Sequence, residues 1–252
     1  MADKFATIAW YKRLSAEAGA SSIAGFSQKL EPRLKQFPER YKWLHRQWAE
    51  RAIGRRLPGA RTIAAAERHY PGASCIFNLA LWPALRADWS LERCHAEVVR
   101  RVDDPTTRAV EAWFASGPRR GPTKCATRAL RAGTIDDLSG LLLLLRAANE
   151  DGAGHAAYSF SRAVNRALLI QAGWLLAHGL LLPVIEFVDE NFFQRVPAPF
   201  DSTAAAGSYF RELEWLASAA PRQMPELAEG FDAEMWASAA HAAFRKADRL
   251  GL

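Results

Sequence analysis

Five consecutive leucines, Leu141 to Leu145, constrain this chain of 252 residues more than any other stretch. Successive helical residues point about 100° apart, so five in a row reach every side of a helix. A run that apolar demands burial on most sides. Thr134 and Asp137 stand just ahead of it, three residues apart, and suit the two halves of a capping box. A second segment, Ala167 to Ile185, is nearly all apolar and about long enough to cross a bilayer. Gln171 and His178 lie inside it, and Gly179 and Pro183 would break it. A buried central helix is therefore expected, and no membrane partner.

Composition points the same way. Alanine and leucine dominate, β-branched residues are sparse, and no alternating apolar–polar run occurs. The expected fold class is all-α, a multi-helix bundle. In the front half, helices are predicted over Phe5–Glu17, from Ser21 or Ser22 to Leu30, from Glu39 through Ala52, and from the Leu57-Pro58-Gly59 turn to His69. Others follow over Cys75–Arg86 with a bend at Pro83, from Asp88 or Ser90 to Arg101, and from an Asp104-Pro105 start to Ser116. Gly117 to Pro122 reads as a linker. Beyond it come the leucine helix, a loop around Asn149–His155 and a long helix to about His178. Further helices are predicted at Val184–Arg195, Thr203–Ala219 and Pro225–Arg249. The expected division is a basic helical domain over 1–117, a linker region over 118–133 and an acidic, leucine-rich helical domain over 134–252, the two able to pack as one unit.

The charge is divided as well. Residues 1–131 hold 24 Lys+Arg against 12 Asp+Glu, a balance of +12, and residues 132–252 hold 9 against 15, a balance of −6. A basic front half suits nucleic acid or another polyanion, although two oppositely charged halves could also dock on each other. Cys75, Cys94 and Cys125 are odd in number and widely spaced, which disfavours a disulfide framework or a structural zinc site. A reducing, cytoplasmic setting fits, and the N-terminal residues do not read as a signal peptide. No P-loop, GxSxG, HExxH or dinucleotide glycine fingerprint is present, so no cofactor is expected and catalysis is not favoured. The acidic groups Glu150–His155 and Glu186, Asp189 and Glu190 have donors for a metal or for acid–base work, but a helix-linking loop and a helix end also collect such residues. Cys94-His95 has no pairing partner at ligand spacing.

The positive charge concentrates between Arg40 and Trp82, above all at Arg40, Lys42, Arg46, Arg51, Arg55, Arg56 and Arg61. Tyr41, Leu44, Trp48 and Ala52 form the apolar stripe of the helix that carries the first of these. Residues 5–70 resemble the helix-turn-helix domains of the lambda-repressor-like group. A first helix holds Trp10 and Leu14, and a short second contains Ser21-Ser-Ile-Ala-Gly-Phe-Ser-Gln-Lys-Leu30. A third holds Lys42, Trp43, Trp48 and Gly54 before Pro58, and a further helix carries Ile63 and Glu67. In place of a tight turn between the second and third, this chain has about ten residues, Glu31 to Arg40, with two prolines. The resemblance implies that Lys42 and Arg46 enter a major groove while Arg55, Arg56 and Arg61 meet phosphates, with DNA favoured over RNA. Residues 134–252 would then serve for homodimerisation or for holding a protein partner. Two other functions fit the sequence. One is a helical protein–protein adaptor using the nine tryptophans as anchors. The other is a ribonuclease, because Arg40-x4-His45 is similar to the spacing of the HEPN family, where arginine steadies phosphate and histidine helps activate a ribose hydroxyl.

Overall fold

The structure, a computed structural model, describes residues 1–117 and 121–196 and the isolated positions Trp236, Ala239 and Ala240. Among these residues the backbone is all-helical. The first half contributes α1 (Ala2–Glu17), α2 (Ile23–Leu30), α3 (Pro38–Ala52), α4 (Ala60–His69), α5 (Leu81–Ala84), α6 (Leu91–Val99) and α7 (Asp104–Ser116). The second contributes α8 (Pro122–Ala129), α9 (Ile135–Glu150), α10 (Gly154–Ile170), α11 (Ala172–Ala177) and α12 (Leu181–Asn191). Short 3-10 turns occupy Pro32–Gln36, Ala73–Asn78 and Phe193–Arg195. No helix among the described residues is long and apolar enough to cross a membrane.

The leucine run lies in α9, and all five leucines are buried. Helices α5, α6, α7, α8 and α10 surround it, so front-half elements supply part of its cover. Its start is the expected capping box: Thr134 Oγ1 accepts from the Asp137 N–H at 3.3 Å while the Asp137 carboxylate accepts from the Thr134 N–H. Asp137 does more than cap. It also accepts from the backbone N–H groups of Ala132 (2.9 Å) and Gly133 (2.6 Å) and from the Thr106 hydroxyl of α7 (2.9 Å). Burial pushes its carboxyl up from the usual range, and the Thr106 hydroxyl and backbone donors pull the other way.

At the far end of α9, Arg146 is buried, yet each of its guanidinium nitrogens donates. Nε donates to Glu150 (2.8 Å), Nη1 to the Arg86 carbonyl (2.9 Å) and to Cys94 Sγ (3.2 Å), and Nη2 to the Trp89 carbonyl. The first helix is tied in nearby through the Asp3–Arg86 ion pair and an edge-to-face contact of Phe5 with Phe187 on α12.

Several boundaries differ from those predicted. The single helix expected over Cys75–Arg86 is a 3-10 turn followed by the four-residue α5. Pro83 has no N–H to give the Leu79 carbonyl, and Leu79 itself is extended at φ −61°, ψ 137°. The long helix expected to His178 breaks at Gln171, whose side chain donates to the Gly133 carbonyl at 2.6 Å. Asp103, rather than Asp104, caps α7, accepting from the Thr106 N–H at 3.0 Å and leaving Pro105 inside the first turn. Ser90 is the cap of α6 and Ser22 that of α2. Pro122 opens α8 inside the stretch read as a linker region, as proline at a first helical position permits. The helices predicted at Thr203–Ala219 and Pro225–Arg249 fall outside the described residues, apart from Trp236, Ala239 and Ala240, which are buried.

Helices α7 and α9 close on each other at Gly140, where an added Cβ would sit 2.5 Å from Thr106 Cγ2. Gly140→Ala gains roughly 1 kcal/mol of helix propensity but must push Thr106 aside at a cost of about 1–3 kcal/mol. The expected outcome is a lower unfolding midpoint in urea. A midpoint raised by the substitution would show that Thr106 yields freely.

Candidate nucleic-acid interface

Helix α3 has two unlike sides. The inner one is set by Leu44 and Trp48, both buried, and by Tyr41, whose hydroxyl donates to the Ala24 carbonyl of α2 (3.2 Å) and accepts from Gln28 Nε2 (3.3 Å). Trp48 sits among aromatic rings, 4.9 Å from Phe26 and 5.8 Å from Trp10 between centroids, with Tyr11 at 6.4 Å. These pairs hold α3 against α1 and α2, and the Phe26–Trp48 pair is edge-to-face, a geometry that aromatic quadrupoles favour. Gly54 ends the helix at φ +69°, and a Cβ there would come within 2.9 Å of the Lys4 carbonyl oxygen. Only glycine suits both the left-handed turn and this close approach.

On the outer side, Lys42, Trp43 and Arg46 lie off the stripe of Tyr41, Leu44 and Trp48 and are exposed, as is Arg40, which falls one turn before Leu44 but at the open start of the helix. Phe37, at the helix start, is 51 % exposed and Trp43 is 63 % exposed. The Arg40 guanidinium lies 5.5 Å above the Phe37 ring. Local carboxylates meet some of these cations: Lys42 pairs with Glu39 (3.0 Å), while Arg46 (3.2 Å) and Arg56 (3.6 Å) share Glu50. Among the described residues, no carboxylate lies within ion-pair distance of Arg40, Arg55 or Arg61, and all three are exposed. Arg55 and Arg56 follow Gly54 directly. Arg61 is one residue into α4.

Arg51 leaves the set. It is 4 % exposed, its guanidinium lies 4.8 Å above the Trp48 ring, and Nη2 donates to Gln47 at 3.3 Å. It falls seven residues after Leu44, about two helical turns, and therefore on the inner side. Burial, and then the nearby Arg56, pull its pKa below the usual arginine value. Its Nε and the indole N–H groups of Trp10 and Trp48 are buried with no acceptor among the described residues. Packing, rather than hydrogen bonding, holds this aromatic cluster together.

Trp43 is the residue that sequence reasoning undervalued, because tryptophan is ordinarily core. Its register gave the signal: one residue before Leu44, it points about 100° away from the apolar stripe.

The other candidates do not assemble into sites. Arg40 and His45 are five positions apart on one helix, so their side chains leave it about 140° apart and do not face a common point within one copy. His45 is half-buried beside Tyr41, with ring centroids 6.4 Å apart. Glu150 is engaged by Arg146, and among the described residues no three His, Cys, Asp or Glu side chains converge as a metal site would need. Asp189 has its carboxyl pushed up by burial and then by Glu190, while Glu186 faces solvent. Cys94 lies against Arg146, whereas His95 stacks on Phe114 at 4.1 Å, so the neighbouring thiol and imidazole have different surroundings. Burial raises the Cys94 thiol pKa despite the guanidinium, which leaves it a poor nucleophile. A cavity of about 80 Å³ beside Arg146, Asn149 and Arg195 has its principal cation already engaged in the fold. The cysteines form no disulfide.

No family model, curated protein or solved structure matches this chain.

The two kinds of arginine should separate in unfolding experiments. Arg51→Ala removes packing over Trp48 and is expected to cost about 2 kcal/mol, while Arg51→Met, keeping length without charge, costs less or stabilises. Arg55→Ala is expected to stay within about 0.5 kcal/mol of the parent. Equal effects of Arg51→Ala and Arg55→Ala in urea titrations would contradict this division.

Proposed function

We propose that the chain binds nucleic acid through the outer side of α3 and the turn after it. One observation carries this: a helix locked from behind by an aromatic cluster presents Arg40, Lys42, Trp43 and Arg46 to solvent, with Arg55 and Arg56 just beyond its end. In the helix-turn-helix interpretation, α3 has the place of the recognition helix, and the Pro32–Gln36 turn stands where that group has a tight turn. The exposed ion pairs do not remove the interface. Such pairs contribute about 0–1 kcal/mol, so a phosphate can replace the carboxylate.

Binding carried by phosphate contacts must weaken as salt rises, with log K falling linearly on log salt. The Arg40→Ala, Arg55→Ala, Arg61→Ala triple variant is expected to lower the magnitude of that slope by up to about 3, while the fold stays intact. Anisotropy titrations of parent and variant across a salt series measure it. A flat slope, or no binding of duplex or single strand at low salt, would refute the proposal.

A second interpretation, a helical protein–protein adaptor, is favoured by Leu176 and Leu182 on α11 and α12, which are 57 % and 55 % exposed. A protein partner that survives nuclease treatment and is lost with Leu176→Asp plus Leu182→Asp would support it. Retention of the partner by that variant would oppose it.

A further inference from the structure

Trp43 occupies the middle of the outer side of α3, three residues from Arg40 in one direction and from Arg46 in the other. Residues three apart are neighbours on a helix surface, and Phe37 extends the same alternation one step further. The result is an oblique row of aromatic, cation, aromatic, cation that winds about 60° round the helix at each step: Phe37 at the cap, then Arg40, Trp43 and Arg46. The Phe37–Arg40 step is seen directly in the guanidinium lying 5.5 Å above the ring. Both aromatic rings are more than half exposed, although burying a ring of that size is among the larger gains open to a folding chain. The aromatic cluster on the opposite side of α3 took Trp48 and left Trp43 outside.

From this row we infer that the ligand is a single-stranded nucleic acid, its unpaired bases stacking on Trp43 and Phe37 while Arg40, Lys42, Arg46 and Arg55 follow the backbone. The inference rests on the nucleic-acid proposal above and narrows it. Bases in a duplex have their faces covered by their neighbours, and a protein reaches only their edges. A projecting indole flanked by cations suits exposed base faces, which every unpaired nucleotide offers. The charge complements such a strand: the exposed cations Arg40, Lys42, Arg46, Arg55 and Arg56 outnumber the carboxylates Glu39 and Glu50 by three.

The test compares the full chain with its Trp43→Ala and Trp43→Phe variants, using oligo(dT), oligo(rU) and a DNA duplex of equal length at one salt concentration. Trp43→Ala is expected to weaken binding of both single strands about tenfold or more, Trp43→Phe to retain most of it, and duplex binding to change by less than about twofold. The ratio of oligo(rU) to oligo(dT) affinity then identifies the preferred sugar. Single-strand binding unchanged in Trp43→Ala, but weakened by the triple arginine variant, would overturn stacking and leave the phosphate interface standing. Tighter binding of the duplex than of either single strand would likewise overturn the inference. Absence of binding to all three probes would instead remove the nucleic-acid proposal beneath it.

Discussion

The need to hide α9 on every side organises the fold. A helix with one apolar stripe can rest on a single neighbour, but Leu141 to Leu145 leave no side for solvent, so helices from both halves of the sequence close around it. Gly140 lets α7 approach, and Asp137 fastens the start of α9 to Thr106 of that same helix. Arg146 then solves the opposite end. Its guanidinium lies among carbonyls of residues 86 and 89, so a cation that would be costly alone is bonded at each nitrogen. The leucine helix and the segment between α5 and α6 are thereby joined by charge-assisted hydrogen bonds.

From that centre, position passes outward to α3. Arg86 meets Asp3 of α1, α1 packs on α5 and on the turn at Ala73–Asn78, and Trp10 and Tyr11 of α1 reach Trp48 of α3. These contacts run from the segment after α5 through α1 to α3, so α3 is backed by packed elements. Rigidity matters for a binding face, since side chains already ordered in place lose less entropy when a ligand arrives.

Much of this was legible in the sequence, because it depended on local signals. The capping box at Thr134 and Asp137 and the burial of the leucine run follow from residue type and spacing alone, which also narrowed two further caps to a pair of residues each, Ser21 or Ser22 and Asp88 or Ser90. What escaped depended on partners distant in sequence. The helix break at Gln171 comes with a side-chain bond to Gly133 that no local window contains. Among seven cations of similar appearance, Arg51 alone is buried, which required knowing which side of α3 meets α1 and α2. Register along Tyr41, Leu44 and Trp48 already placed Arg51 on that side and Trp43 off it. The expectation that arginine lies outside and tryptophan inside outweighed register in both cases.

That exchange of places has a physical logic. Arg51 lays its guanidinium on the Trp48 ring and buries its aliphatic stem, so the cation itself fills part of the space beneath α3. An aromatic cluster already holding Trp10, Tyr11, Phe26 and Trp48 does not take up a further indole from the same helix, because Trp43 points about 100° away from the stripe those rings share. Trp43 must therefore stand in water unless something covers it. The groups around it are mostly cationic, and the two nearby carboxylates, exposed Glu39 and half-buried Glu50, are partners of Lys42, Arg46 and Arg56. A ligand that suits both features has a flat apolar face and a negative charge within a few ångströms of each other. An apolar protein surface would strand the guanidiniums without water, and a simple anion would leave the indole wet. A nucleotide carries both groups on one sugar, which is what the proposed single-stranded ligand would bring to the exposed tryptophan and the surplus of positive charge on α3.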